Sequence, residues 1–131
     1  MTTGGAIYTI LSGDANLIAV VPVTGIVAVN APMNTANPMI MYSKSSTVPE
    51  YDKVSGNVMT LQYEVDIFSN SHVQAEEIAD LVRAALDLYV GSFTGFEFNR
   101  IRFDGEDDRG FDPDNNSYHV AQGYTIRIKY D

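Results

Sequence analysis

The sequence of 131 residues lacks cysteine, has few basic residues and has no apolar run close to the length of a membrane span. Without cysteine, disulfides, thiolate metal sites and cysteine nucleophiles are excluded. A membrane helix needs ~20 apolar residues, and the first residues show neither the basic nor the apolar segment of a signal peptide. We therefore expect a soluble protein without a membrane partner.

The shortage of basic residues leaves a net charge of −9, from eight Lys and Arg against seventeen Asp and Glu. Such a charge opposes binding to the phosphates of nucleic acid. We therefore do not expect DNA binding as the main activity.

Apolar residues, by contrast, are plentiful: 45% of the chain is hydrophobic, with eight tyrosines and six phenylalanines. A chain of this length can bury a core that stabilises one domain without a metal or a disulfide. We therefore expect residues 1–131 to form a single domain.

Helical periodicity marks two short N-terminal helices and one long helix. The short ones cover residues 6–11 and 14–21, with Asp14 as the candidate cap of the second. The long helix spans residues 71–90: Ser71 and Gln74 fit a capping box, an apolar stripe follows, and Gly91 ends it.

Strand signals occupy most of the remaining chain. Short β-prone runs lie at residues 26–29 and 38–42, and residues 58–68 alternate cleanly between apolar and polar. In residues 96–103 the apolar parity changes near Asn99, which predicts a β-bulge, and residues 118–130 alternate to the end of the last strand. The predicted fold is α+β: a single antiparallel β-sheet with one long helix and short N-terminal helices packed on one face.

Two polar segments, residues 43–57 and 104–116, have the composition of loops. We predict that they are contact loops for partner proteins. The candidate contact residues are Thr47, Glu50, Tyr51, Asp52 and Lys53 in the first loop, and Glu106, Asp107, Asp108 and Arg109 in the second.

Residues capable of catalysis or metal binding show no recognisable pattern. His72 and His119 are the only histidines, and neither has a partner in the nearby sequence, so we assign neither a role. The centre of the segment 91–95 is Phe93, where a nucleophile elbow needs serine. No phosphate-binding, dinucleotide-binding or zinc-protease motif is present. The sequence predicts no catalytic residue and no cofactor.

The acidic segment 104–116 is the strongest candidate for a divalent metal site. Asp112, Asp114 and Asn116 match the first three ligand positions of a calcium loop, but Ser117 and Gly123 stand where the loop requires glycine and a bidentate acid. We interpret the segment as a solvated acidic loop and predict no metal ligand, while a divalent-metal-binding domain stays the least favoured alternative.

Charges on the polar sides of three strands have two interpretations. They pair within one sheet, which contributes ~0.2 to 1 kcal/mol per pair, or they pair with a neighbouring subunit. In the second interpretation an acidic and a basic patch fix the direction of ring assembly. The candidate interface residues are Glu64 and Asp66, Arg100 and Arg102, and Arg127 and Lys129.

Several segments together resemble a known family. Residues 61–69 (LQYEVDIFS) and 71–86 (SHVQAEEIADLVRAAL) resemble the central strand and helix of the tail-completion, or tail-terminator, proteins of long-tailed bacteriophages. Residues 112–114 (DPD), Tyr118 and the closing run 124–130 (YTIRIKY) resemble the turn and aromatic last strand of that family. The short helix pair and the proline-containing segment before residues 39–42 also fit.

The resemblance implies a structural virion protein rather than an enzyme. Its expected partners are copies of itself in a hexameric ring, the tail tube protein, and the head-to-tail connector or head-completion protein. The ring caps the tail tube and ends its polymerisation, DNA only passes through it, and assembly takes place in the host cytoplasm. The alternative is a head-completion or adaptor protein of the portal and neck, for which a ring of twelve rather than six is expected.

Overall fold

The computed structural model describes residues 1–28, 37–50, 58–114 and 116–131. Six strands form one curled sheet in the order β1-β2-β3-β6-β5-β4. Their bounds are β1 (Ile26–Ala28), β2 (Met39–Glu50), β3 (Val58–Ser69), β4 (Gly91–Phe93), β5 (Phe96–Asp112) and β6 (Ser117–Tyr130).

The sheet is mixed, so the expectation of a purely antiparallel sheet is wrong at one edge. Strand β1 runs parallel to β2, with Ile26 opposite Ile40, whereas the other neighbouring pairs are antiparallel. A three-residue strand carries too little pattern to show its direction in the sequence.

Strands β3 and β6 form the centre of the sheet, and their alternation is the predicted one. Leu61 lies opposite Ile126 and Tyr63 opposite Tyr124, and all four side chains are buried. Since cross-strand partners share a face, these residues define the inner face of the sheet. Helix α3 packs on this side.

The helices are α1 (Thr3–Ser12), α2 (Ala15–Ile18) and α3 (His72–Leu86), with a 3-10 turn at Val23–Gly25. The predicted cap of α2 is confirmed, since the Leu17 N–H donates to Asp14 Oδ1 at 3.0 Å. Ser71 likewise accepts from the Gln74 N–H at 3.4 Å. Helix α3 packs on β3, β5 and β6, and α1 packs on α3, β1 and β2.

Helix α3 ends at Leu86, four residues before the predicted end. Leu88 adopts a positive φ of 64°, its N–H donates to the Ile101 carbonyl at 2.8 Å, and the Ile101 N–H donates to the Tyr89 carbonyl at 3.1 Å. The segment after α3 therefore hydrogen-bonds to β5 rather than continuing the helix.

The two predicted loops are largely strand, which corrects that expectation. Residues 43–50 belong to β2 and residues 104–112 to β5, because β3 and β6 are long enough to supply ladder partners up to Glu50 and Asp112. Residues 51–57 lie outside the described residues. The predicted bulge near Asn99 is confirmed by a register shift between Phe98 and Arg100, and β5 has further shifts at residues 103–105 and 108–110.

Candidate interaction surfaces

The outer face of the sheet, opposite α3, carries a group of four basic side chains that we call the basic cluster. Arg100 on β5 lies opposite Arg127 on β6, Arg102 is the next outward residue of β5, and Lys129 follows Arg127 outward on β6. All four are exposed. They make up half of the eight Lys and Arg residues of a chain with net charge −9.

Three members of the basic cluster, Arg100, Arg102 and Arg127, line a concavity of about 660 Å³ together with Thr60 and Thr125. Arginines directly opposite each other on neighbouring strands destabilise a sheet. Arg102 Nε lies 2.9 Å from Asp104 Oδ1, and Glu97 lies opposite Lys129 at the rim. The cluster is therefore suited to an anionic partner.

The other half of the outer face is acidic. Glu64, Asp104 and Asp107 line a cleft of about 450 Å³, and its floor is open because Gly105 lies opposite Gly123. Glu64 Oε1 accepts from Arg109 at 3.3 Å, and Asp104 accepts hydrogen bonds from Arg102 and from Thr125. We call Glu64, Asp104 and Asp107 the acidic patch.

Asp66, predicted on the exposed polar side of β3, is buried, with 4% of its surface exposed. Its Oδ1 lies 2.7 Å from His119 Nε2, and the His119 ring stacks on Phe68 at 4.4 Å between centroids. Asp66 therefore cannot present a carboxylate to a partner in this conformation. The pair was not recognisable in the sequence because it depends on the register between β3 and β6, which places Phe68 opposite His119.

The predicted contact residues of β5 divide between the two faces. Asp107 and the bulge residue Arg109 lie on the outer face. Glu106 and Asp108 lie on the α3 side, where Glu106 accepts a hydrogen bond from Gln122 and Asp108 contacts the start of α3. In the first predicted loop, Thr47 is an exposed residue of β2 and Glu50 ends that strand. Tyr51, Asp52 and Lys53 lie outside the described residues.

On the α3 side, His72 Nε2 lies 2.5 Å from Asp108 Oδ2 and 3.5 Å from Glu76 Oε1. The hydrogen bond with Asp108 raises the pKa of His72, and the same bond lowers the pKa of Asp108, assisted by the Gly110 N–H. Sequence reasoning missed this contact. Its one local signal was the spacing of His72 and Glu76, which puts them on the same side of a helix.

A polar network is buried under α3. The Gln122 amide donates to the Ala79 carbonyl at 2.8 Å and to Glu106 Oε1 at 2.8 Å, and its oxygen accepts from the Tyr124 hydroxyl at 2.9 Å. Burial raises the pKa of Tyr124, so the phenol stays protonated and acts as a donor. This network positions α3 on the sheet.

Within the described residues, no helix has the length and apolar content needed to cross a membrane. The basic cluster of the outer face is exposed, and the acidic patch lines an open cleft beside it, so each is suited to recognising a surface of opposite charge.

Comparisons with known proteins agree with the sequence resemblance. No curated protein sequence matches this chain. A chain of a solved structure described as the virion of a native gene transfer agent particle has the same fold, with a TM-score of 0.78, 18% identity, and coverage of 97% of this chain and 94% of that chain. A family model described as tail completion protein gp17 matches residues 5–129. The chain therefore belongs to the tail completion protein gp17 family and is a structural component of a phage-type virion tail.

Proposed function

We propose that this chain is a single-domain subunit of a ring that caps the phage tail tube, ends its polymerisation and joins the tail to the head connector. Family membership supports the tail assignment. The observation that carries the assembly mechanism is the order of charge along the outer face, where the basic cluster is followed by the acidic patch and the two adjoin at Arg102 and Asp104. DNA passes through the ring without a binding role.

In the proposed ring, the acidic patch of one copy contacts the basic cluster of the next. Because the two patches differ, such a contact is head-to-tail and closes into a ring when the rotation between copies allows it. A two-fold pairing of two outer faces would satisfy the same charges but would stop at two copies. The mass of the assembly therefore distinguishes the two arrangements.

The proposed contact is weak in isolation and sensitive to salt. Exposed ion pairs each contribute about 0.2–1 kcal/mol, and charges farther apart than ~8 Å are largely screened at physiological ionic strength. Each subunit contact contains several such pairs, and a closed ring repeats the contact once per subunit. The ring is therefore stable only when many copies assemble together. We expect the end of a tail tube to promote this assembly by binding several copies together.

We propose that the remaining predicted contact residues face the tube or the connector. Thr47 and Glu50 lie in the second half of β2, and Glu106, Asp108 and Arg109, the predicted contact residues of β5 outside the acidic patch, lie in the second half of that strand. Tyr51, Asp52 and Lys53, which belong to the same proposed contact, lie outside the described residues. Val48, beside Thr47, is 54% exposed, so this end of β2 offers apolar as well as polar contact area. Ring contacts and tube contacts would then use different parts of the molecule.

A charge-exchange experiment tests the ring contact. One variant carries Glu64→Lys and Asp107→Lys in the acidic patch, and the other carries Arg100→Glu, Arg127→Glu and Lys129→Glu in the basic cluster, which makes that cluster net negative. Each variant alone presents two patches of the same sign, so we expect monomers of 14.4 kDa by light scattering. Mixed in equal amounts, the two variants offer complementary pairs at every contact, and we expect an even-numbered ring to return.

The matched control reverses two charges on α3, with Glu77→Lys and Asp80→Lys, and should assemble like the unmodified chain. Far-UV circular dichroism checks that every variant is folded. Assemblies of six copies in the unmodified chain and in the mixture support the tail-cap arrangement. Twelve copies would favour the portal-side adaptor, and assembly by either variant alone would refute the charge-paired contact.

A further inference from the structure

The first turn of α3 and the second half of β5 bring together three side chains that the ring proposal does not use. His72 and Glu76 lie one turn apart on α3, and Asp108 reaches them from the α3 side of β5. One ligand atom from each residue lies within 4.8 Å of the other two. We call this group the His72 cluster.

We propose that the His72 cluster binds a transition-metal dication of the Zn²⁺ class. One imidazole nitrogen and two carboxylate oxygens form a mixed ligand set that Zn²⁺ accepts, with bonds of about 2.0–2.2 Å. Ligand atoms around such an ion stand about 3–3.5 Å apart, which follows from those bond lengths at tetrahedral or octahedral angles. The present spacings of 2.5 Å and 3.5 Å from His72 Nε2 bracket this range.

Neighbouring groups hold two of the three ligands in suitable orientations. The edge of the His72 ring meets the Tyr118 ring at 5.5 Å between centroids with an interplanar angle of 62°. Asp108 Oδ1 accepts from the Gly110 N–H at 3.0 Å, so Oδ2 is the oxygen directed at His72. Such outer contacts fix ligand orientation in protein metal sites. Glu76, which is 58% exposed, needs only a side-chain rotation to join them.

The charge of the cluster favours a dication. Two carboxylates and a neutral imidazole carry a charge of −2, and they belong to a chain whose net charge is −9. The imidazole distinguishes this group from an acidic surface patch, because nitrogen ligands favour zinc-like ions over Ca²⁺ and Mg²⁺, which take oxygen ligands. Without a metal, a proton shared between His72 and Asp108 partly neutralises the cluster, so proton and metal compete for the same atoms.

Metal binding would join the start of α3 to β5 by bonds stronger than the present hydrogen bond. The expected effect on the isolated chain is a rise in melting temperature with Zn²⁺ concentration, because a ligand that binds only the folded state stabilises it by mass action. This effect is measured on the isolated chain without a ring or a tail tube. The metal proposal can therefore fail while the ring proposal holds, and the ring proposal can fail while the metal proposal holds.

The two histidines of the sequence provide an internal comparison. In tag-free protein at pH 7.5, ZnCl₂ is titrated while the imidazole resonances of both residues are followed by NMR. We expect His72 to shift with a saturable profile while His119, part-buried and hydrogen-bonded to Asp66, does not. Equal shifts of both rings, or no shift of His72 at millimolar Zn²⁺, would overturn the proposal.

Calorimetric titration of variants identifies the ligands. His72→Asn, Glu76→Gln and Asp108→Asn should each weaken Zn²⁺ binding at least about tenfold, the lower end of what even outer-shell substitutions cost. The matched controls Glu77→Gln and Asp107→Asn remove neighbouring carboxylates and should leave the affinity unchanged. Undiminished binding by His72→Asn would assign the ion to other carboxylates and refute the site.

Discussion

The buried network around Gln122 gives the sharpest stability prediction. Gln122→Leu keeps the size of the side chain but removes its hydrogen bonds to Ala79, Glu106 and Tyr124. The Tyr124 hydroxyl loses its acceptor in the core, which costs about 1–3 kcal/mol, and the two lost donor bonds cost about 0.5–1.5 kcal/mol each. The buried leucine returns about 1 kcal/mol, so the net loss should lie between about 1 and 5 kcal/mol, with about 3 kcal/mol as the central value.

A double-mutant cycle separates this network from simple repacking. Tyr124→Phe alone leaves the Gln122 oxygen without its donor and should cost about 1–2 kcal/mol. In the Gln122→Leu background the same change removes a stranded hydroxyl and should cost little or stabilise the protein. We therefore expect a coupling energy of at least about 1 kcal/mol, within the range for residues in contact.

The assay is urea unfolding followed by far-UV circular dichroism, in high salt and at low protein concentration to keep the chain monomeric. With a slope of about 1–3 kcal/mol per molar urea, a loss of about 3 kcal/mol should lower the Gln122→Leu midpoint by roughly 1–3 M. Additivity of the two substitutions within about 0.3 kcal/mol would refute the network, since residues without shared partners behave that way.

Three further predictions concern the core, a helix cap and a pH-dependent pair. Phe98 is fully buried beside Phe93 and Phe96. Phe98→Ala should therefore lower the free energy of unfolding by about 3–5 kcal/mol, and a decrease below about 1 kcal/mol in urea unfolding would contradict the central packing of this ring. Asp14→Ala should cost about 1 kcal/mol, and rescue by Asp14→Ser would confirm capping, whereas an unchanged urea midpoint in the alanine variant would count against it. Pairing raises the pKa of His72 and lowers the pKa of Asp108. The pair therefore stabilises the fold most between about pH 4 and 6.5, where Asp108 is ionised and His72 is protonated. This stabilisation is lost as the pH rises through the folded-state pKa of His72. The difference in urea midpoint between the unmodified chain and Asp108→Asn should therefore shrink from pH 5.5 to pH 8.5, and a constant difference would contradict the pairing.

Local pattern was enough to predict the elements whose determinants lie within a few residues. The Asp14 cap, the apolar stripe of α3 and the parity change at Asn99 are local signals, and each corresponds to a feature of the structure. The end of α3 was wrong because Leu88 bonds to Ile101 on a distant strand. The loop assignment of residues 104–112 was wrong because composition does not show that β6 supplies ladder partners for an acidic strand.

The candidate surfaces divide in the same way. Alternation along β5 and β6 was enough to place the four cations of the basic cluster on one face. The burial of Asp66 depends on the register that brings His119 beside it, and the His72 cluster depends on Asp108 arriving from another element. Contacts between residues far apart in sequence leave no periodic signal, so the sequence could not have revealed them.

The most direct test of the central proposal is to add the purified chain to growing tail tubes of its own phage and image them by electron microscopy. A ring with six-fold symmetry at one end of each tube, and tubes that stop elongating, are the predicted result. Tubes that elongate at the same rate, with no added density at either end, would contradict the proposed role as a tail cap.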